Sequence, residues 1–366
     1  MARSKATPDY VLFATTIALL VIGLVMVYSA SEAWATYRFD DSFFFAKRQL
    51  FFSSVGVVAM LFMMKVDYWT WRTWAKLILI ICFLLLVIVL IPGVGLVRGG
   101  ARSWLGVGAF SIQPSEFMKM AMIVFLAKFL SENQKKIVSF KKGLLPSLSL
   151  VLLAFGMIML QPDLGTGAVM VGTCVIMIFV SGARLSHFLW LGLLGVAGFV
   201  ALIASAPYRI QRITSFLDPW SDPLGSGFQI IQSLYAIGPG GLMGMGLGES
   251  RQKYFYLPEP QTDFIFAILA EELGFIGGAI VLCLFGILLW RGIRIALGAP
   301  DLFGSFLAVG IISMVAIQVM INIGVVIGLM PVTGITLPLL SYGGSSLTLM
   351  LVSLGVLLNI SRHVRV

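Results

Sequence analysis

The chain has 366 residues, 59% of them hydrophobic and only 11% charged, with a formal charge of +9 and a mean hydropathy of +1.01. That composition excludes a soluble domain of any size, because apolar runs of roughly 18 residues or more recur along nearly the whole length, each long enough to cross a bilayer as a helix. On a soluble protein the positive charge would suggest nucleic acid. Here it follows from the retention of basic residues in cytoplasmic loops, and no nucleic-acid partner is expected.

Ten apolar spans are predicted, at approximately 11–30, 49–65, 76–91, 115–130, 145–160, 163–181, 187–205, 263–290, 304–329 and 343–361. The runs are continuous rather than alternating, which selects helices over barrel strands, the only other structure that satisfies its backbone in lipid. The first run is too long for a signal-peptide core and has no clear cleavage site, so it is read as a helix that stays. The expected fold is all-α: one polytopic membrane domain over 1–366, with about ten transmembrane helices. An even count puts both termini on one side. With that side inside, 15 basic residues fall in inner segments and nine in outer ones, with Lys119 within a span. The bias makes both termini cytoplasmic.

Six of the nine outer basic residues crowd into two loops. Loop 92–114 is glycine-rich and carries Arg98, Arg102 and Trp104. Loop 206–262, the one long extracellular loop, far exceeds ordinary connection lengths, and such loops are functional or disordered; its composition argues for order. Within it, Phe228 to Ile237 suits a short helix on the membrane surface, and the run GPGGLMGMGLGES that follows is tight backbone. Loop 330–342 is punctuated by prolines and reads as re-entering or capping the bundle. Cys82, Cys174 and Cys283 lie in apolar runs, so no disulfide framework is implied. His187 and His363 lie far apart, and no zinc site is expected. Gly244, Gly246 and Gly248 follow no strand, so a dinucleotide reading fails on context.

Carboxylates are rare here, and an acid at or inside a membrane helix is a functional-site hypothesis by default. Asp263 opens the apolar run that continues to Trp290, with Glu271 and Glu272 about two turns further in. On the predicted outer face it joins Glu259, Asp163, Arg98, Arg102, Arg209, Arg212, Arg251, Lys253, Ser341, Ser345 and Ser346. One or two carboxylates amid many cations suit a phosphorylated, membrane-borne substrate: cations and helix N-termini hold phosphates, and a carboxylate takes a proton. Each residue also has a structural alternative. Thr262 is a good N-cap, which would place Asp263 in the first helical turn, where the dipole alone favours an acid. Glu116 and Lys119, at i and i+3, can form a local ion pair that makes burial tolerable. Asp163 after Pro162 reads as an N-cap. At least one of Glu271 and Glu272 should hydrogen-bond within the bundle. Gly343 and Gly344 would let backbone N–H groups approach an anion, or let helices pack closely.

Four stretches carry a resemblance: ARSWLG with SIQPSEFMK (101–119), QPDLGT (161–166), LPEPQTDFIFAILAEELG (257–274) and PLLSYGGSSL (338–347). Together, and in this order, they resemble the SEDS family (shape, elongation, division and sporulation), and within it the division and sporulation branch more than the elongation branch. The resemblance implies a peptidoglycan glycosyltransferase of the bacterial cytoplasmic membrane, at the division septum or spore membrane. It would polymerise lipid II into undecaprenyl-linked glycan beside a class B penicillin-binding protein that crosslinks the product. The family's essential outer-face aspartate falls on Asp263, and its QPSE-x-x-K pattern on Gln113 to Lys119.

The implied reaction is an inverting transfer with Asp263 as general base. Arg102, Lys119, Arg209 and Arg212 are candidates for stabilising the pyrophosphate, and Ser341 to Ser346 for cradling it. No cofactor is certain from sequence; a divalent cation (Mg or Mn) beside Asp263 is compatible with this chemistry. Two rivals belong to other classes. A lipid II flippase would need polar residues continuous across the membrane and, usually, repeats or broken helices. A non-catalytic scaffold for the penicillin-binding protein would leave Asp263 without a role.

Overall fold

The computed structural model describes residues 7–98, 101–107, 110–204, 210, 214, 216–225 and 227–364. In chain order the elements are α1 (Tyr10–Phe39), α2 (Phe44–Met63), α3 (Trp69–Leu90), β1 (Leu96–Arg98), β2 (Ala101–Val107), β3 (Phe110–Ile112) and α4 (Pro114–Ile137). A π-turn (Phe140–Leu144) leads into α5 (Leu145–Met159), followed by α6 (Leu164–Val180), α7 (Leu185–Ala204), α8 (Phe228–Gly240), α9 (Ile265–Gly298), α10 (Leu302–Val326) and α11 (Gly344–Ser361).

Each predicted span falls on a helix. Among the described residues, seven helical stretches combine the length and hydropathy needed to cross a membrane: α1, α2, α3, Phe140–Met159, α9, α10 and α11. Helices α6 and α7 are apolar but give shorter qualifying stretches. Helix α4 is diluted by Glu116, Lys119, Lys128, Glu132, Lys135 and Lys136. Helices α10 and α11 form the middle of the bundle, with 67% of their apolar windows buried, against 22% for α2 and 28% for α3. The outward faces of α2 and α3 carry Val58, Phe62, Ile80 and Leu84, which are exposed as side chains facing lipid are. Helices α2 and α11 approach closely because glycines remove the side chains between them: a Cβ on Gly355 would meet the Met60 backbone, and one on Gly56 the Leu351 side chain.

Loop 92–114 holds structure that the sequence did not announce. Its strands form a three-stranded antiparallel sheet in the order β1-β2-β3, with Val97 opposite Arg102 and Gly106 opposite Ser111. The long loop contains α8, as the apolar run 228–237 predicts.

Helix α9 is broken. Gly274 has φ 65° and ψ −164°, a conformation essentially confined to glycine, and it splits the helix two turns from its start. The break frees backbone groups at membrane depth, where each must find a partner within the protein. Segment 241–246 supplies them. The amides of Met245 and Gly246 donate to the carbonyls of Glu271 and Glu272 (3.0 Å each), and those of Phe275 and Ile276 donate to Gly241 and Leu242 (2.9 and 3.2 Å). Both predicted acids are buried and bonded here. Glu271 accepts from the Ser250 hydroxyl (2.5 Å) and the Arg251 amide (2.9 Å); Glu272 accepts from the Ser29 hydroxyl (2.6 Å) and faces the buried Lys253 ammonium (3.9 Å). They hold the glycine-rich segment in the break.

The second irregular segment, 331–341, reaches mid-bundle. A Cβ on Gly23, close to the midpoint of α1, would meet the backbone of Leu339 and Leu340. Ile335, Leu337, Leu339 and Leu340 are buried. Side chains bond the Ile335 and Ser341 carbonyls and the Leu337 amide, and the Ser341 amide donates to the Leu337 carbonyl, which is how non-helical backbone is tolerated at this depth.

Candidate functional site

Asp263 lies two residues ahead of α9, half-buried. The expected capping does not occur: the helix begins at Ile265, its N-cap Phe264 makes no side-chain cap, and the Thr262 hydroxyl donates instead to the Glu259 carbonyl (3.0 Å). Asp263 is therefore outside the first helical turn, and the capping alternative loses its geometry.

Two side chains from other elements bond the backbone around Asp263, and a third fixes the segment that supplies one of them. Asn322 of α10, buried within the bundle, donates both amide hydrogens, one to the Asp263 carbonyl (2.8 Å) and one to the Ile335 carbonyl (2.7 Å). The Ser341 hydroxyl donates to the Thr262 carbonyl (2.6 Å) and accepts from the Leu337 amide (2.8 Å). Gln49 of α2 donates to the Ser341 carbonyl (3.1 Å) and accepts from the Gly343 amide (3.3 Å). The stretch before α9 and the re-entrant segment are thus stitched together. Gly334 of that segment, at φ 73°, passes the carboxylate: a Cβ there would lie 3.7 Å from Asp263 Oδ2 and, among the described residues, would meet nothing else within 4 Å. The backbone of Asp263 is clamped, and its half-buried carboxylate passes Gly334.

Beside this clamp is a cavity of about 10 Å³, room for about one water. Glu116, Gln318, Thr336, Ser341 and Ser346 supply its polar lining, so sequence candidates from three elements meet here. Glu116 pairs with Lys119 at 2.8 Å, with the lysine side chain only 4% exposed. Asp163 caps α6 through the Thr166 amide (3.1 Å) and accepts from Gln113 (2.8 Å) and Ser115 (3.1 Å), which fixes the start of α4 and so the height of Glu116.

Other candidates stand apart. Ser345 is buried in the first turn of α11 but does not line the cavity. Gly344 packs against the Phe52 ring, which favours close helix packing at that glycine. Arg102 lies on β2 with its stem against Gly95, and no contact joins it to the Glu116–Lys119 pair. Arg209 and Arg212 lie outside the described residues. The sequence reading missed Asn322, Gln318, Gln49 and Gly334. A signal for two of them was present: Gln318 and Asn322 are carboxamides four residues apart in an otherwise apolar helix, hence on one face.

A family model described as "cell cycle protein", covering FtsW, RodA and SpoVE, matches residues 10–366. The chain belongs to this family. It is 74% identical over 365 residues to stage V sporulation protein E of Bacillus subtilis, covering 100% of both chains. It is 46% identical to the probable peptidoglycan glycosyltransferase FtsW of Trichlorobacter lovleyi, over 96% of this chain and 93% of the relative. Among solved structures, a chain of a peptidoglycan synthase complex that coordinates polymerisation and crosslinking matches with a TM-score of 0.80 at 34% identity, covering 97% of this chain and 98% of that one. The rod shape-determining protein RodA of Thermus thermophilus matches with a TM-score of 0.72 at 31% identity, covering 97% of each chain.

Proposed function

We propose that the chain is a peptidoglycan glycosyltransferase that polymerises lipid II at the outer face of the cytoplasmic membrane, with Asp263 as the general base. The observation that carries this reading is the clamp: Asn322 of α10 and Ser341 of the re-entrant segment bond the Asp263 and Thr262 carbonyls, and Gln49 of α2 holds Ser341 in turn, all around one half-buried carboxylate. In the reaction the 4-hydroxyl of the incoming lipid II gives its proton to Asp263 and its oxygen bonds to the donor sugar's anomeric carbon. The bond from that carbon to the pyrophosphate oxygen breaks, and the lipid pyrophosphate leaves with the electron pair. Attack opposite the leaving group turns an α linkage into a β-1,4 linkage. Pyrophosphate leaves readily, so charge stabilisation matters more than a protein acid. To this work we assign Lys119, whose ammonium is held by Glu116, together with Arg102, which stands apart from that pair, and Arg209 and Arg212.

Among the described residues no three His, Cys, Asp or Glu side chains converge into a metal cage. A single carboxylate does fit Mg²⁺, which keeps waters and takes substrate phosphates as its remaining ligands. Asp263 would be that carboxylate, and the ion would supply charge neutralisation.

The broken α9 is the feature a transporter would share. Here the freed backbone groups of the break are taken up by hydrogen bonds to 241–246, which favours chemistry over transport. The proposed partner is a class B penicillin-binding protein, in line with the synthase complex among the structural matches. The proposed site of action is the spore membrane or division septum, in line with the sporulation relative.

The test is lipid II polymerisation by the purified protein with its cognate penicillin-binding protein, transpeptidation blocked, comparing wild type with Asp263→Asn. Long glycan from the wild type and none from a folded variant supports the base. Normal polymerisation by the variant refutes it. If neither makes glycan, the enzyme reading fails, and lipid II movement across proteoliposomes is measured instead.

A further inference from the structure

A groove of about 450 Å³ separates α4 from α5, away from Asp263. Its walls are Phe125 and Phe129 on α4 and Pro146, Leu150 and Leu153 on α5, with Ser149 at the edge. The surface of this groove is mostly apolar, as suits a hydrocarbon chain.

Over one end of the groove lies a concentration of charge. The last turns of α4 and the π-turn carry Lys128, Lys135, Lys136, Lys141 and Lys142 within 15 residues. Four of them are exposed, and Lys128 is half-buried. The acid in this stretch, Glu132, is taken by Arg72 (3.1 Å). Lys136 donates to the Asn133 side chain (3.1 Å), and the other four lysines make no ion pair among the described residues. Lys141 and Lys142 lie on the π-turn, a rare local geometry often found at functional positions. Gly143 presses that turn against Ile137, and Pro146 of the groove wall follows at once. The groove therefore begins about one turn from the lysines.

The positive-inside bias accounts for basic residues at this end of α4 and α5 and assigns it to the cytoplasmic side. It does not account for a groove beneath them. An apolar channel two helical turns long, topped by unpaired ammonium groups at the membrane surface, has the complementarity of one amphiphile: an acyl chain with an anionic head.

We propose that the α4–α5 groove binds an anionic phospholipid of the cytoplasmic leaflet, with an acyl chain between Phe129 and Leu150 and the headgroup phosphate on Lys141 and Lys142. The site is separate from the Asp263 chemistry and independent of it.

The probe is phosphatidylglycerol, titrated against phosphatidylcholine in mixed micelles with the purified full-length protein. Retained lipid is counted by native mass spectrometry. Wild type should keep one phosphatidylglycerol in preference to phosphatidylcholine. Lys141→Gln with Lys142→Gln should weaken that preference by about fivefold for each lysine removed. Ser149→Phe, which fills the groove from an exposed position, should lower retention of both lipids. Lys65→Gln with Lys76→Gln, in the turn before α3 and in that helix's second turn, should change neither. Melting curves confirm that each variant is folded. Equal retention of the two lipids by wild type overturns the proposal. So does an equal effect of the two lysine pairs, which would mean only a diffuse surface field, or wild-type retention by Ser149→Phe.

Discussion

Replacing Gly274 by alanine should unfasten the upper part of the bundle. The native backbone there has φ 65° and ψ −164°, and the new Cβ would press on the Gly244 amide and lie 2.6 Å from the Leu242 carbonyl. Forcing a side chain into that conformation costs about 2 kcal/mol. The steric conflict is with backbone, so no rotamer change relieves it. If segment 241–246 withdraws to make room, the four backbone hydrogen bonds across the break are at risk. At about 1 kcal/mol each, losing two to four of them brings the total to about 4–6 kcal/mol. The assay is thermal unfolding of the purified protein in detergent, with Gly286→Ala as the control: a Cβ on Gly286 of the same helix meets nothing within 4 Å. The expected result is a large loss of stability for Gly274→Ala and a change within about 1 kcal/mol for Gly286→Ala. If both variants melt together with the wild type, the inserted segment does not stabilise the break, and the account of α9 is wrong.

The Glu116–Lys119 pair should behave as a buried ion pair does: Glu116→Gln or Lys119→Met alone lowers stability by about 3–5 kcal/mol, and the double variant recovers much of it, read from a double-mutant cycle of unfolding. Asn322→Leu keeps the volume but removes both hydrogen bonds to the Asp263 and Ile335 carbonyls; misplacing the carboxylate by about 1 Å should lower kcat up to about a hundredfold while KM for lipid II holds, and an unchanged kcat would dismiss the clamp. If a divalent ion shares Asp263 with the substrate's phosphates, chelation should abolish polymerisation and added Mg²⁺ restore it, with melting unchanged by either treatment.

The helices were legible because lipid demands long continuous apolar runs, and each predicted span falls on one. The sheet in 92–114 was not, since its strands are three, seven and three residues long and too short for alternation to show. The break in α9 was hidden for a different reason. A glycine in an apolar run reads as helix, and Gly274 leaves that conformation only because 241–246, some thirty residues earlier, docks there. The cap at Thr262 was misread because its hydroxyl finds Glu259 in the preceding turn. The site was legible in its charges, Asp263, Glu116 and Lys119, and illegible in its amides. Asn322 and Gln318 carry no charge to mark them, and their task depends on a loop that sequence pattern leaves without shape.

The clamp on Asp263 has a consequence for biosynthesis. Asp263 is synthesised 59 residues before Asn322 and 78 before Ser341. A nascent chain inserted as far as α9 already carries the carboxylate, yet nothing holds the backbone that bears it. Only when α10 and the re-entrant segment have entered the membrane does the aspartate acquire a fixed address. With Asp263 as the proposed base, a chain lacking α10 and the re-entrant segment should carry its carboxylate without the means to aim it.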